Sequence, residues 1–471
     1  MRKFFQEFLD FFRKGDMLLL ALCLLTTIVG VVIVASTTNH MDSTRFIIVQ
    51  IVAAALGVFL YAVISSIDLD LIMEYRVLLV IFNCVFLLML IPFGVNHGGN
   101  RSWLDIPGLP FEIQVAEILK TTYILIMASV MASHQNRLSK FRPIMHMIFH
   151  LGLLCGLNMV LSKDAGVSLI FVFIFIGMTF AGGVNKFWFL LALSLLGVGF
   201  PILWPMLGNH QRARIEVLFN PSIDPNATGI RWQTNQGMLS IIGGDLTGQG
   251  LFSGRRTQAG ALKAQHTDYI FSAIGEEVGF VGCLFIVALE FAIIARVIYV
   301  GIHTPDFARR VVCFGAAAAL IFQVTSNIGM NLGVTPVIGL TLPFISYGGS
   351  SMLSLYAMLG LVSGVCARPS PGKQGMYIQP PRYPHQKPRS PRLLPYPVKN
   401  ILLTVGRGLA PAGALEPQAQ KPLTVRQKSH YSSPAGRKNF HLMVKIPAGA
   451  SPRPTFILER GYSYEQSRRL A

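Results

Sequence analysis

The sequence predicts an all-α, polytopic membrane protein with about ten transmembrane helices, a large extracytoplasmic loop and a disordered C-terminal tail. Of its 471 residues, 52% are hydrophobic and only 13% are charged, and the mean hydropathy is +0.52. A soluble protein of this length would carry far more charge. After Cys366 the apolar stretches give way to proline and basic residues. These observations separate a membrane part from a polar tail.

Ten apolar stretches are long enough to cross roughly 30 Å of hydrocarbon. We predict spans at Met17–Ala35, Phe46–Ser66, Val77–Phe93, Ile113–Met131, Ile144–Leu161, Gly166–Phe180, Phe187–Met206, Tyr269–Val300, Val311–Met330 and Phe344–Cys366. Together they define a ten-helix transmembrane domain over residues 17–367, which a polar loop at residues 207–268 interrupts.

Basic residues in the short loops predict the orientation, because such loops stay on the cytoplasmic side. With ten spans, three basic groups fall on one side together with both termini: Arg2, Lys3, Arg13 and Lys14; Arg137, Lys140 and Arg142; Arg309 and Arg310. The 207–268 loop is then extracytoplasmic. Its own arginines do not overturn this topology, since a loop of that length escapes the charge rule.

Both ends of the chain are predicted to be cytoplasmic. Residues 1–16 mix phenylalanine with arginine and lysine, which favours an amphipathic segment on the inner membrane surface. Residues 368–471 hold 18 of the 40 Lys and Arg, 3 of the 22 Asp and Glu and 16 of the 27 prolines. We expect a basic, Pro-rich, disordered tail that can touch membrane lipids. Because the net charge of +18 lies mostly there, it indicates no nucleic acid partner.

No cofactor or metal motif is present. The six cysteines are scattered through apolar segments without C-x-x-C spacing, and no H-E-x-x-H pair occurs. We therefore predict neither a disulfide framework nor a metal site, and no nucleotide-binding motif points to a cofactor.

Asp268 is the strongest candidate for chemistry. It stands where the polar loop meets an apolar helix, two residues after His266 and shortly before Glu276 and Glu277. An Asp at such a junction can simply cap the helix. Ionisable side chains inside a span are costly unless they are paired or functional, however, so the cluster favours a wet site. The residues alone leave both interpretations open.

Two further acid and base pairs lie near span ends. Glu117 and Lys120 are three residues apart on one helical face, and Lys163 precedes Asp164 directly. We predict an ion pair for each. Together with Asp268 they indicate a polar cleft open to the outside.

Two loops complete the candidate site. Arg101 and Trp103 follow the third span, where Trp is either an interface anchor or a surface on which a sugar stacks beside a phosphate-binding Arg. The stretch Thr335–Ser351 carries Pro336, Pro343 and two adjacent glycines, which mark broken helical backbone. Such backbone survives in lipid only where protein or a wet cavity satisfies its polar groups, so we expect it to pack near Asp268.

The motifs resemble the SEDS family, which includes RodA, FtsW and SpoVE. The first hallmark is His266–Phe271 followed by Gly275-Glu276-Glu277, and the second is Asn331-Leu332-Gly333 followed by Pro336, Gly339 and Pro343–Ser351. The resemblance covers about residues 15–366. Asn327–Met330 leans weakly towards RodA.

The resemblance implies a glycosyltransferase that polymerises peptidoglycan glycan strands from lipid II, transferring a glycan from undecaprenyl diphosphate with inversion. Asp268 would be the catalytic general base. Arg101, Arg212 or Arg214 would stabilise the diphosphate. The other residues expected around the substrate are Trp103, Glu117, Lys120, Asp164, His266, Glu276, Ser346, Gly348 and Gly349.

The resemblance also implies a class B penicillin-binding protein, a transpeptidase, as partner in the bacterial cytoplasmic membrane. Whether the chain serves elongation and cell shape or septal synthesis stays open, as does a divalent cation at the diphosphate. Two other functions are considered: a lipid II flippase without bond chemistry, and a non-catalytic scaffold for the penicillin-binding protein.

Overall fold

The computed structural model describes residues 15–367 except residues 42, 98–99, 107–110, 207–208 and 221–230. The predicted N-terminal segment, apart from its last two residues, and the predicted tail at 368–471 lie outside the described residues.

Helices dominate the described chain. In order they are α1 (Met17–Thr38), α2 (Arg45–Ser66), α3 (Leu69–Glu74), α4 (Arg76–Leu88), α5 (Leu90–Phe93), α6 (Val115–Ser133), α7 (Phe141–Leu161), α8 (Ala165–Ala181), α9 (Lys186–Leu203), α10 (Asn209–Phe219), α11 (Trp232–Gly244), α12 (Arg255–Gln258), α13 (Ile270–His303), α14 (Phe307–Asn331) and α15 (Gly349–Ala367). A small antiparallel sheet, in the order β1 (Gly94–His97), β2 (Asn100–Leu104) and β3 (Ile113–Gln114), separates α5 from α6.

The chain is an integral membrane protein. Eight helical segments of the described chain are long and apolar enough to cross a membrane, and α8 and α9 are shorter apolar helices. These ten segments correspond to the ten predicted spans. Two span boundaries were wrong: Ile113–Gln114 pairs with β2 as a strand, and Phe344 precedes the start of α15 by five residues.

Close contacts between small residues and aromatic rings hold the helices together. The α2 and α15 helices pack along most of their lengths, and a Cβ atom at Gly57 would lie only 2.5 Å from the ring of Tyr356. The hydroxyls of Ser65 and Ser363 are 2.9 Å apart across the same interface. This is how transmembrane helices associate in lipid, where packing and interhelical hydrogen bonds replace hydrophobic burial.

Ion pairs mark the end of the bundle remote from Asp268. Arg296 lies 26 residues after the start of α13, in its far half, and its Nε atom is 2.9 Å from Asp16 Oδ2. The Arg309 guanidinium is buried between Asp68 and Asp70, at 3.3 and 2.9 Å.

The α13 helix is broken at Gly279, a feature that the predicted continuous span Tyr269–Val300 missed. Gly279 has φ 73° and ψ −168°, which interrupts the helical hydrogen bonds. The loop after α11 supplies replacements: Gln249 N–H donates to the Glu276 carbonyl, and Phe280 N–H donates to the Asp245 carbonyl, both at 2.9 Å. The break is therefore satisfied by protein, as irregular backbone at membrane depth must be.

Gly279→Ala is expected to lower the free energy of unfolding by about 2 kcal/mol or more, because only glycine adopts this backbone region without strain. A Cβ atom there would also lie 2.3 Å from the Gly248 nitrogen. The measurement is the thermal unfolding midpoint of the purified protein. Gly152→Ala on α7 is the control, since its Cβ would meet nothing within 4 Å. Equal midpoints for the two variants would contradict the prediction.

Candidate active site

Asp268 lies at the junction of the loop and α13, but it does not cap the helix. The capping position is Tyr269, and no side chain caps there. Asp268 is half-buried, and within the described residues no group donates a hydrogen bond to its carboxylate. Carboxylates with a purely structural role at this depth are normally paired. The geometry therefore favours the chemical interpretation over the capping one.

Two asparagines of α14 hold the backbone of Asp268 in place. Asn327 Nδ2 and Asn331 Nδ2 both donate to the Asp268 carbonyl, at 2.9 and 3.0 Å. Asn331 Oδ1 in turn accepts the Ser272 hydroxyl at 2.6 Å. Both asparagines are fully buried. The carboxylate is thus positioned through its own main chain, which leaves its oxygens available.

The segment between α14 and α15 lies against Asp268, as predicted. Gly339 has φ 76°, and a Cβ atom there would lie 3.6 Å from Asp268 Oδ2. Ser346 Oγ donates to the Thr267 carbonyl at 2.7 Å, and Tyr347 N–H donates to the His266 carbonyl at 2.8 Å. These contacts fix the segment to the residues immediately before Asp268.

The remaining predicted residues of this segment are structural neighbours of the site. Gly348 N–H donates to Gln50 at 3.3 Å, and Gly349 lies directly under the ring of Phe111. The His266 ring packs against Phe46 with centroids 5.1 Å apart. Burial lowers the pKa of His266, so its neutral form is favoured.

Asp164 is the second carboxylate of the site. It accepts the Ser102 hydroxyl at 3.1 Å and caps α8 by accepting Val167 N–H at 3.1 Å. The predicted ion pair with Lys163 was wrong: Lys163 is exposed and its side chain makes no contact with Asp164 among the salt bridges of the described chain. The β2 strand thus brings Ser102 to Asp164, a contact that spacing in the sequence did not indicate.

The charge of Asp164 acts on Asp268. Burial, and then the negative charge of Asp164, raises the pKa of Asp268 to about 6. Burial also raises the pKa of Asp164, while hydrogen bonds from Val167 and Ser102 and the charge of Arg214 oppose that rise. A carboxylate with a pKa near neutrality is suited to accept a proton.

The three predicted arginines lie in different surroundings. Arg214 on α10 donates to the Val337 carbonyl at 3.0 Å, and its charge acts on both Asp164 and Tyr269. Arg101 is exposed and donates to the Gly94 carbonyl at 2.9 Å. Arg212 donates to the Pro205 carbonyl. Arg214 is therefore the predicted arginine whose charge reaches Asp164 and Tyr269, the residue next to Asp268.

Trp103 lies next to Ser102 on β2. Its backbone is paired with Val95 of β1 on one side and with Gln114 of β3 on the other. The sheet therefore holds Trp103 one residue from a side chain that contacts Asp164.

The predicted ion pair of Glu117 and Lys120 is confirmed. Lys120 Nζ lies 2.6 Å from Glu117 Oε2 and donates to Gln323 Oε1 at 2.9 Å. Lys120 is only 1% exposed, so the pair is enclosed between α6 and α14. Gln323 is one helical turn from Asn327, so a polar stripe on α14 runs from this pair to the Asp268 backbone.

Glu276 is fully buried, and its carboxylate holds the loop instead of facing open space. It accepts Arg256 N–H at 2.7 Å and both the N–H and the hydroxyl of Thr257, at 3.1 and 2.8 Å. Glu277 accepts from Ser36 and from Gln258. The adjacent glutamates therefore anchor α12 to α13 and α1.

A metal site made by the protein alone is not found: over the described ranges, no three His, Cys, Asp or Glu side chains converge as ligands.

Comparison with known proteins identifies similar chains. The family model of the cell cycle proteins FtsW, RodA and SpoVE matches residues 16–369. A protein of Trichlorobacter lovleyi named probable peptidoglycan glycosyltransferase FtsW is 31% identical over 374 residues, which are 76% of this chain and 96% of the relative. Stage V sporulation protein E of Bacillus subtilis is 30% identical over 363 residues, which are 74% of this chain and 96% of the relative.

Solved structures share the fold. A chain in a peptidoglycan synthase complex, solved in a study of coordinated polymerization and crosslinking, has a TM-score of 0.63 and 26% identity, covering 74% of this chain and 97% of that chain. The rod shape determining protein RodA of Thermus thermophilus has a TM-score of 0.55 and 25% identity, covering 74% of this chain and 96% of its own.

Proposed function

The chain belongs to the FtsW, RodA and SpoVE family of cell cycle proteins, and from this premise we propose that it is a peptidoglycan glycosyltransferase. It polymerises glycan strands from lipid II in the bacterial cytoplasmic membrane. Relatives with the printed name peptidoglycan glycosyltransferase FtsW support the activity. The observation that carries the proposal is the Asp268 carboxylate, which is held by its backbone and is bonded to no described group.

The reaction is a displacement at an anomeric carbon. Asp268 takes the proton of the acceptor sugar hydroxyl as that oxygen forms a bond to the donor's anomeric carbon. The bond from this carbon to the diphosphate oxygen breaks, so undecaprenyl diphosphate leaves as an anion and the configuration inverts. The proton stays on Asp268 until solvent removes it.

The other site residues divide into three groups. Asp164, Arg214, Arg101 and Trp103 lie on elements that reach the site and are proposed to contact substrate. Arg212 is proposed to support α10 near the substrate through its contact with Pro205. The last group is proposed to maintain the shape of the site without contacting substrate: Glu117, Lys120, His266, Glu276, Ser346, Gly348 and Gly349.

The proposed topology places both termini in the cytoplasm and Asp268 on the extracytoplasmic side. The short basic loops support it. Arg309, in the first turn of α14 at the bundle end remote from Asp268, belongs to one of these basic groups. A class B penicillin-binding protein is the proposed partner, since a similar chain was solved within a peptidoglycan synthase complex. A divalent cation on the diphosphate stays a prediction that chelation tests, and no step depends on it.

The deciding experiment supplies labelled lipid II to the purified full chain with its penicillin-binding protein in lipid nanodiscs. The proposal expects glycan polymer from the wild type. In parallel, vesicles containing the chain are tested for transfer of lipid II between leaflets. Transfer without polymer would establish the flippase, and stimulation of the partner alone without polymer would establish the scaffold.

Polymerisation is expected to rise with pH and to be half-maximal near pH 6. The base must be ionised to act, and burial and Asp164 raise the pKa of Asp268 to about 6. Asp164→Asn keeps the helix cap but removes the negative charge, which lowers the pKa of Asp268 and shifts the midpoint to lower pH. Initial rates from about pH 5 to 8 measure both profiles. Coincident midpoints would contradict the coupling of the two carboxylates.

A further inference from the structure

A cleft with two arginines opens beside Asp268, between α10, α11 and the segment that follows α14. Its cavity volume is about 90 Å³, and it is open to solvent. The polar residues that line it are Arg214, Arg231, Thr234, Asn235 and Thr335. Apolar side chains, including Val217 and Met238, complete it. Such a lining suits an anion that carries a lipid chain.

The two arginines come from separate elements. Arg214 lies on α10 and is oriented by its hydrogen bond to the Val337 carbonyl at 3.0 Å. Arg231 directly precedes the first residue of α11, so it lies at the positive end of that helix. Two guanidinium groups can contact two adjacent phosphates, because each presents a planar fork of donors.

The cleft is adjacent to the proposed general base. Val337 lines the cleft, and Gly339, two residues later, lies against the Asp268 carboxylate. Two residues of chain span at most about 7 Å. On the opposite wall, the Thr234 hydroxyl lies 3.1 Å from the hydroxyl of Tyr269, the residue after Asp268. The cleft therefore shares its walls with residues that neighbour the base.

We propose that the Arg214–Arg231 cleft binds the diphosphate of the prenyl-linked donor, with Arg231 as a binding residue for the leaving group. This inference rests on the proposed function and names the part of the substrate that the cleft holds. The anomeric carbon is joined to the diphosphate through one oxygen, so a diphosphate in the cleft places that carbon towards Asp268. The two positive charges then stabilise the negative charge that develops as the diphosphate departs.

The test measures binding, which does not depend on turnover. The full chain in nanodiscs is titrated with undecaprenyl diphosphate and with undecaprenyl monophosphate, for the wild type, Arg231→Ala and Arg231→Lys. We expect Arg231→Ala to weaken diphosphate binding about tenfold or more and to reduce the preference over monophosphate. Arg231→Lys should fall between the two, since lysine keeps the charge but lacks the fork.

Arg255→Ala is the matched control, because Arg255 is an exposed arginine of the same loop outside the cleft. Unchanged diphosphate binding in Arg231→Ala would overturn the proposal. Lipid II, which carries a stem peptide, is titrated as a third ligand; a loss of binding seen only with lipid II would also overturn the proposal, because the cleft would then bind peptide carboxylates.

Asp268→Asn separates the two proposals. It should bind undecaprenyl diphosphate as the wild type does, because Asp268 acts on the acceptor hydroxyl. If the wild type made no polymer while diphosphate binding still depended on Arg231, the proposed function would fail and the cleft assignment would stand.

Discussion

Asp268→Asn is expected to lower the rate of glycan polymerisation by at least about 100-fold, the lower end of what a positioned general base contributes. The amide matches the carboxylate in shape but cannot accept the proton of the sugar hydroxyl at neutral pH. The fold should be unaffected, because Asp268 is held through its carbonyl by Asn327 and Asn331. The measurement is the initial rate of lipid II consumption with the partner at saturating concentration.

Asp245→Asn is the control for this experiment. Asp245 is an exposed carboxylate of the same loop, and asparagine tolerates its positive φ of 50°. The control should retain wild-type rates, and both variants should show the wild-type unfolding midpoint. Polymer formation by Asp268→Asn within a few-fold of the wild type would remove Asp268 from the role of base. If that polymer came from a contaminating enzyme, the result would favour the scaffold function.

The position of the site could be predicted because charge is rare in this chain. An aspartate at the mouth of an apolar helix and two prolines followed by glycines at the mouth of another are conspicuous in a sequence with 13% charged residues. The cost of unsatisfied polar groups in lipid then favours packing of the broken segment against protein or a wet site. The contact of Gly339 with Asp268 is the result.

The contacts that hold the site could not be predicted, because they join residues far apart in the chain. Ser102 and Asp164 are 62 residues apart and meet through a short sheet. The two asparagines that hold the Asp268 backbone are visible in the sequence as a pair, since Asn327 and Asn331 are one turn apart in an apolar helix. Sequence spacing gives no indication that their partner is the main chain of Asp268.

The adjacent glutamates illustrate a different limit. Two carboxylates in an apolar helix predicted a wet cavity, yet Glu276 is satisfied by backbone amides of α12. A carboxylate accepts backbone N–H groups as readily as it faces water, and nothing in the local sequence distinguishes these partners. The same loop also satisfies the backbone at the Gly279 break. The packing of this one loop against α13 therefore explains both the buried Glu276 and the helix break, which the sequence did not predict.

Lys120→Met is expected to destabilise the protein by about 3–5 kcal/mol, because it leaves a buried charge without its partner. Glu117 is 5% exposed and would lose the 2.6 Å ion pair, while Gln323 would lose the 2.9 Å bond to Lys120 Nζ. The measurement is the free energy of unfolding in mixed micelles. Lys186→Met on the exposed start of α9 is the control and should change it by less than about 0.5 kcal/mol.

The double variant Glu117→Leu with Lys120→Met separates the charge from the packing. Removing both charges abolishes the uncompensated carboxylate, so at least half of the lost stability should return. The stability that does not return reflects Gln323, because its Oε1 atom still lacks the Lys120 donor. A buried acceptor without a hydrogen bond costs about 1–3 kcal/mol. If the double variant were as unstable as Lys120→Met alone, the loss would arise from packing around the lysine stem. The ion pair of Glu117 and Lys120 would then contribute nothing to the stability of α14.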